Sequence, residues 1–150
     1  MQEYMNLAIK EAQKAYNKDE VPVGAVIVKD NKVIAKAHNL KEQKQCVTEH
    51  AEIIAIRKAS RKLNTWHLDD CEMYITLEPC KMCCGAIEQA RIKKVYYAAE
   101  SYIYGYVETN VSRETLSEEK IGNVSRETYI KTPVKEASDL LTKFFKTKRK

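Results

Sequence analysis

The sequence has little of what would take it out of the ordinary globular class. No stretch approaches the roughly 20 apolar residues that cross a bilayer, so no membrane-embedded role is expected. With only 4 Gly and 3 Pro in 150 residues, collagen-like and low-complexity architectures are excluded, and no linker divides the chain. The opening run Met1-Gln2-Glu3-Tyr4-Met5-Asn6 lacks the basic and apolar regions of a secretory signal. A cytoplasmic protein is the expectation, and with it reduced thiols. Five cysteines, an odd number, do not suggest a disulfide framework.

What is present suits one compact domain over residues 1–150, with 44% hydrophobic and 31% charged residues. The net charge of +5 favours polyanionic partners only weakly. Its distribution says more. Lys143, Lys146, Lys148, Arg149 and Lys150 crowd the end of the chain around Phe144 and Phe145. This basic C-terminal stretch, about 134–150, reads either as a solvated helix end or as a phosphate-contacting tail with aromatic anchors.

Periodicity gives the order of elements. Met5, Ala8, Ile9, Ala12, Ala15 and Tyr16 recur at helical spacing from Gln2 to Asn17, with Lys10, Glu11, Gln13 and Lys14 expected on the other face. Residues 23–28 and 32–39 read as a hairpin turning at Asp30-Asn31, and Lys41–Glu49 as a loop. A helix is predicted from His50 to about Leu63, with Ala51, Ile54, Ala55, Lys58 and Ala59 on one stripe. A strand follows over Met73–Leu77, then a helix opened by Pro79 and running to Gln89. Another strand covers Val95–Ala99, and a last helix Val134–Phe145. Strands alternating with helices predict an α/β domain with three layers around a mixed sheet. The hexapeptide Asn-Val-Ser-Arg-Glu-Thr occurs at 110–115 and again at 123–128, a local duplication too short to define a repeat fold.

Three cysteines, Cys80, Cys83 and Cys84, fall within five residues, whereas Cys46 and Cys71 stand apart and are expected to be small packed side chains. His50-Ala51-Glu52 and Pro79-Cys80-Lys81-Met82-Cys83 together offer one imidazole and two thiolates. Three such ligands bind zinc and leave a fourth tetrahedral position for water, the pattern of a catalytic rather than a structural site. Both motifs sit at predicted helix starts, whose N–H groups favour thiolates. Glu52 is the residue that holding a metal does not require, and a carboxylate there can shuttle protons.

On these residues the chain resembles the cytidine/nucleotide deaminase superfamily, and more closely the bacterial tRNA-specific adenosine deaminases; the His-x-Glu and Pro-Cys-x-x-Cys pair is the known signature of zinc deaminases. The likeness includes Val21-Pro22-Val23-Gly24-Ala25, Asn39, Thr76-Leu77-Glu78-Pro79-Cys80, Ala90-Arg91-Ile92 and Leu140-Leu141 with Phe144-Phe145. It implies a cytidine-deaminase-like fold, zinc on His50, Cys80 and Cys83, and Glu52 as the catalytic proton shuttle. It further implies Asn39 hydrogen-bonded to an inserted adenine, Val23 and Ala51 lining its pocket, and a homodimer. The implied reaction is adenosine to inosine at the wobble position of a tRNA anticodon stem-loop, by attack of zinc-activated water on C6. Glu49, His67, Cys84 and the residues Ser101, Ile103 and Glu108 depart from that family's pattern. Two other readings stay open: a deaminase of a free base or nucleoside of guanine or cytosine type, and a noncatalytic zinc- and RNA-binding subunit.

Overall fold

The computed structural model describes residues 2–101, 105–107 and 128–148. The elements in chain order are α1 (Gln2–Asn17), β1 (Gly24–Lys29), β2 (Lys32–His38), α2 (Lys41–Lys44), α3 (Ala51–Leu63), β3 (Cys71–Ile75), α4 (Lys81–Ala90), β4 (Lys94–Tyr97), β5 (Tyr129–Lys131) and α5 (Lys135–Lys148). The sheet runs β2-β1-β3-β4-β5. β1 is antiparallel to both β2 and β3, while β3, β4 and β5 are parallel. The mixed α/β sheet is the one expected.

Alternation along the strands sorts side chains between two layers. Ala25, Ile27, Met73, Ile75, Val95 and Tyr97 join the core beneath α3 and α4. Val26, Val28, Tyr74 and Tyr96 join the core beneath α1 and α5. Central strands covered on both faces read as nearly continuous apolar runs, which is why β1 is buried along almost its whole length. The hairpin turns where Asp30 and Asn31 take φ of 50° and 62°, the paired positive values of a two-residue turn that matches strand twist.

Several expectations are corrected. Glu11 is not on the exposed face of α1: it is buried and paired with Lys14 at 2.6 Å and with His38 at 3.2 Å. Lys58 leaves the buried stripe of α3 and donates to the Lys36 carbonyl. The third strand lies two residues earlier than predicted, because the chain bends at Thr76 and Leu77. Strand β5 was not foreseen, and three residues carry too short a pattern to register. Most of the duplicated hexapeptide lies outside the described residues; only Thr128 is within them, buried and accepting the Val95 amide at 2.7 Å.

Gly24 sets the distance between α1 and the sheet. A Cβ there would lie 1.9 Å from the Ala8 carbonyl oxygen and 2.6 Å from the Ala12 amide nitrogen. Backbone cannot step aside as a flexible side chain can. Gly24→Ala is therefore expected to destabilise by about 3 kcal/mol through overpacking. Urea unfolding checks this, and a loss under about 0.5 kcal/mol, the usual range for an innocuous surface change, would contradict the close approach.

Candidate active site

The site is built where two helices begin. His50 is the residue preceding α3, and Cys80 the residue preceding α4. Both are extended, with φ of −78° in each case, and neither side chain turns back to cap its own helix. Helix-start positions of this kind usually carry Ser, Thr, Asp or Asn that bind the free amides. Here the imidazole and the thiol point instead at each other. Cys80 Sγ lies 3.7 Å from His50 Nδ1, and Cys83 Sγ, one turn into α4, lies 3.5 Å from the same nitrogen. All three donor atoms fall within 4.8 Å of one another, a group that could hold a metal ion. Pro79 does not open α4 as expected; it precedes Cys80, which itself occupies the boundary. Proline in the preceding position keeps the approach to Cys80 extended.

The electrostatics suit cation capture. The bond from the Cys83 thiol holds the Cys80 thiol down at about 4, with His50 adding to the effect against burial. The same contact, with burial, pushes Cys83 above the ordinary thiol range, and Cys80 draws the His50 pKa upward. Two sulfurs and an imidazole thus share protons that a divalent cation displaces on binding. Glu52 is buried beside them, and burial pushes its carboxyl up to about 7.

The loop into His50 is held from two sides. Asn39, at the end of β2, accepts the Lys41 amide on Oδ1 at 3.1 Å and donates to the Val21 carbonyl. Glu20, wholly buried, accepts the next two amides, those of Glu42 and Gln43, at 2.9 and 2.6 Å. Together they supply the first turn of α2, an element absent from the sequence reading, with the caps its own residues lack. Backbone pairing also brings Asn39 to Val23, whose carbonyl accepts the Asn39 amide at 3.1 Å, and Val23 shares a core with Ala51.

The remaining cysteines divide. Cys84 is buried, turned to the Pro79 carbonyl and outside the donor group; Cys71 is buried in the core. Cys46 is exposed, contrary to expectation, and pairs with the Thr48 hydroxyl at 3.1 Å. Sequence reasoning gave no role to Glu78, which is 4% exposed and accepts the Ser101 amide. Its signal was its place in the run Thr76-Leu77-Glu78-Pro79-Cys80, two residues before Cys80. Ser101 is described, whereas Ile103 and Glu108 lie outside the described residues. A groove runs between the outer faces of α3 and α4, lined by Ile53, Ile56, Met82 and Ala86 and ending at Trp66 and Arg91. Its walls do not include the donor residues, but Thr48 and Lys81 place one end beside them.

The MafB19-like deaminase family matches residues 1–149. The tRNA-specific adenosine deaminase of Aquifex aeolicus is 45% identical over 148 residues, 97% of this chain and 94% of that protein. A solved tRNA:A34 deaminase, studied for A-to-I editing at the wobble position, is similar at a TM-score of 0.77 and 38% identity, over 87% of this chain and 98% of the other. The guanine deaminase of Bacillus subtilis is similar at a TM-score of 0.64 and 33% identity, over 99% and 96% of the two chains.

The geometry separates Cys83 from Cys84. Cys83→Ala is expected to abolish metal binding, while Cys84→Ala keeps about one ion per chain, since a catalytic site of this type needs three protein ligands. Elemental analysis of the purified variants checks this. Equal metal content in both would contradict the assignment.

Proposed function

The chain belongs to the MafB19-like deaminases, among the tRNA-specific adenosine deaminases, and from that premise we propose that it converts adenosine to inosine at the first anticodon position of tRNA. The observation that carries the reading is the convergence of His50, Cys80 and Cys83 with buried Glu52 beside them. Three donors of one nitrogen and two sulfurs suit zinc. A tetrahedral zinc with ordinary bond lengths places nitrogen and sulfur about 3.6 Å apart, and the two separations here are 3.5 and 3.7 Å. Bound by these residues, zinc supplies Lewis-acid activation of water at neutral pH.

The chain's own groups then account for the proton traffic. Burial raises the Glu52 carboxyl above the ordinary carboxylate range, which suits a group that must both take and give a proton. Glu52 takes a proton from the water whose oxygen bonds to C6 and delivers it to a purine ring nitrogen. It then takes the second proton from that added hydroxyl and passes it to the amine as the C6–N bond breaks. Water and adenosine become inosine and ammonia, and Glu52 ends as it began. Asn39 orients the base. Its amide has two N–H groups and two acceptor sites, and the backbone uses one of each, which leaves one of each for adenine. Val23 and Ala51 line the pocket. Removing the base from a stack costs least in an anticodon loop, where it is already unpaired.

The RNA surface rests on α5. Phe144 is buried edge-on against Tyr16, which anchors the helix to α1, while Phe145 is 43% exposed beside Lys143 and Lys146. Arg149 and Lys150 lie outside the described residues. The half-buried apolar lining of the α3–α4 groove supports a homodimer closing over it. Among the described residues no helix is long and apolar enough to cross a membrane. The likeness to a guanine deaminase keeps a free base as the second reading.

Zinc-loaded protein is expected to form inosine in a wobble-adenosine stem-loop and to leave free guanine unchanged, as read by mass spectrometry. Turnover of guanine alone would overturn the substrate. Glu52→Gln is expected to keep zinc and lose about 10³-fold in rate, the size of a general acid–base contribution. Near-wild-type turnover would remove Glu52 from the mechanism. Deleting the last five residues is expected to reduce the salt-dependence slope of stem-loop binding by about two, through lost phosphate contacts. An unchanged slope would make the tail a solvated helix end.

A further inference from the structure

The segment leading into Cys80 is buttressed beyond what holding a metal or moving a proton requires. Glu78 lies two residues before that ligand and is 4% exposed, and its Oε1 accepts the Ser101 amide at 3.2 Å. Around this bond the chain beyond β4 is stitched to the chain before α4. The Glu78 amide donates to the Ala99 carbonyl at 2.7 Å, and the Tyr106 amide to the Pro79 carbonyl at 3.1 Å. The Gly105 amide turns back on the Ser101 carbonyl at 3.1 Å, and Gly105 itself bridges to Cys80.

The fit at Gly105 is close. A Cβ there would lie 2.5 Å from Glu78 Oε1 and 2.3 Å from the Ser101 carbonyl oxygen. Residue 105 therefore carries no side chain while Glu78 stays in place. Burying a carboxylate is costly unless fixed donors compensate, so an apolar residue would serve better if filling space were the only need. The carboxylate instead reaches Ser101, whose carbonyl accepts the Gly105 amide, and Gly105 bridges to Cys80.

Taking the site as the deaminase centre, we propose that Glu78 is a positioning residue. It fixes the backbone at Ser101 and Gly105–Tyr106 beside Cys80, so that this backbone forms a wall against which the substrate base is held. Its effect falls on substrate binding, through the wall, and not on metal retention or proton transfer.

The test uses zinc-loaded full-length protein and three variants, Glu78→Ala, Glu78→Gln and Gly105→Ala. Gln keeps an acceptor oxygen at the same reach. Glu78→Ala and Gly105→Ala are expected to raise KM for the stem-loop about tenfold, about 1.4 kcal/mol of binding lost with the displaced wall. Their kcat should stay within about threefold and zinc content should not change, the pattern of lost binding that is uniform between ground and transition states. Glu78→Gln should remain near wild type. Amide hydrogen exchange at Ser101 and Tyr106, which needs no substrate, should quicken in Glu78→Ala and not in Glu78→Gln. An unchanged KM overturns the proposal, as does loss of zinc and kcat without a change in KM, which would make Glu78 a prop for Cys80. Failure of Gln to rescue overturns the hydrogen-bond argument. If Glu78→Ala does not fold, Gly105→Ala reads the same displacement. Wild-type protein inactive on the stem-loop but with exchange responding as stated would sink the deaminase reading and leave the positioning role standing.

Discussion

Two helix N-termini arriving at one point is the constraint on which the chemistry of this chain depends. His50 and Cys80 each occupy the last extended residue before a helix, and in each case the polar side chain serves the shared cluster and not its own helix. The cost is a pair of helix starts without local caps. The gain is positive dipole ends, which favour a thiolate at Cys80. Within the following turn, Glu52 and Cys83 complete the group from the same two helices. The sheet exists, functionally, to hold α3 and α4 side by side: both pack over the layer formed by Ala25, Ile27, Met73, Ile75 and Val95.

Among the described residues four glutamates are buried around this arrangement, and each serves a particular segment. Glu52 sits at the cluster itself. Glu11 ties α1 to His38, next to Asn39. Glu20 caps α2 from outside that helix and so fixes the loop into His50. Glu78 holds the backbone beyond β4 against Cys80. Buried charge is tolerated where fixed donors meet it, and here they are side chains at Glu11, the opening amides of α2 at Glu20 and the Ser101 amide at Glu78. Helix starts and irregular chain near a site need such supports, because no regular ladder satisfies their N–H groups.

The sequence alone was enough for the parts that depend on repetition or on rare residue types. Helix α1 matched to the residue because its apolar spacing is regular over four turns. The turn at Asp30-Asn31 followed from turn chemistry, and the donor set from three metal-binding side chains in tight spacing. What escaped depends on distance in space. Glu11 looked like a solvent-facing residue until β2 brought His38 beside it, and Cys46 looked like a packed thiol although its loop stays outside the core. Glu20, Glu78 and Gly105 act across 22, 23 and 25 residues of sequence. No local pattern announces a carboxylate whose partners are amides elsewhere. Cys84 is the opposite case: spacing made it a rival for Cys83, and one step of helix rotation removed it.

X-ray absorption at the zinc edge tests the central arrangement most directly. The account expects two sulfur neighbours near 2.3 Å with nitrogen or oxygen completing a four-coordinate shell, as three protein ligands and one open position require. A shell of three or four sulfurs would bring Cys84 or another thiol into the site. It would close the position that chemistry needs and contradict the account.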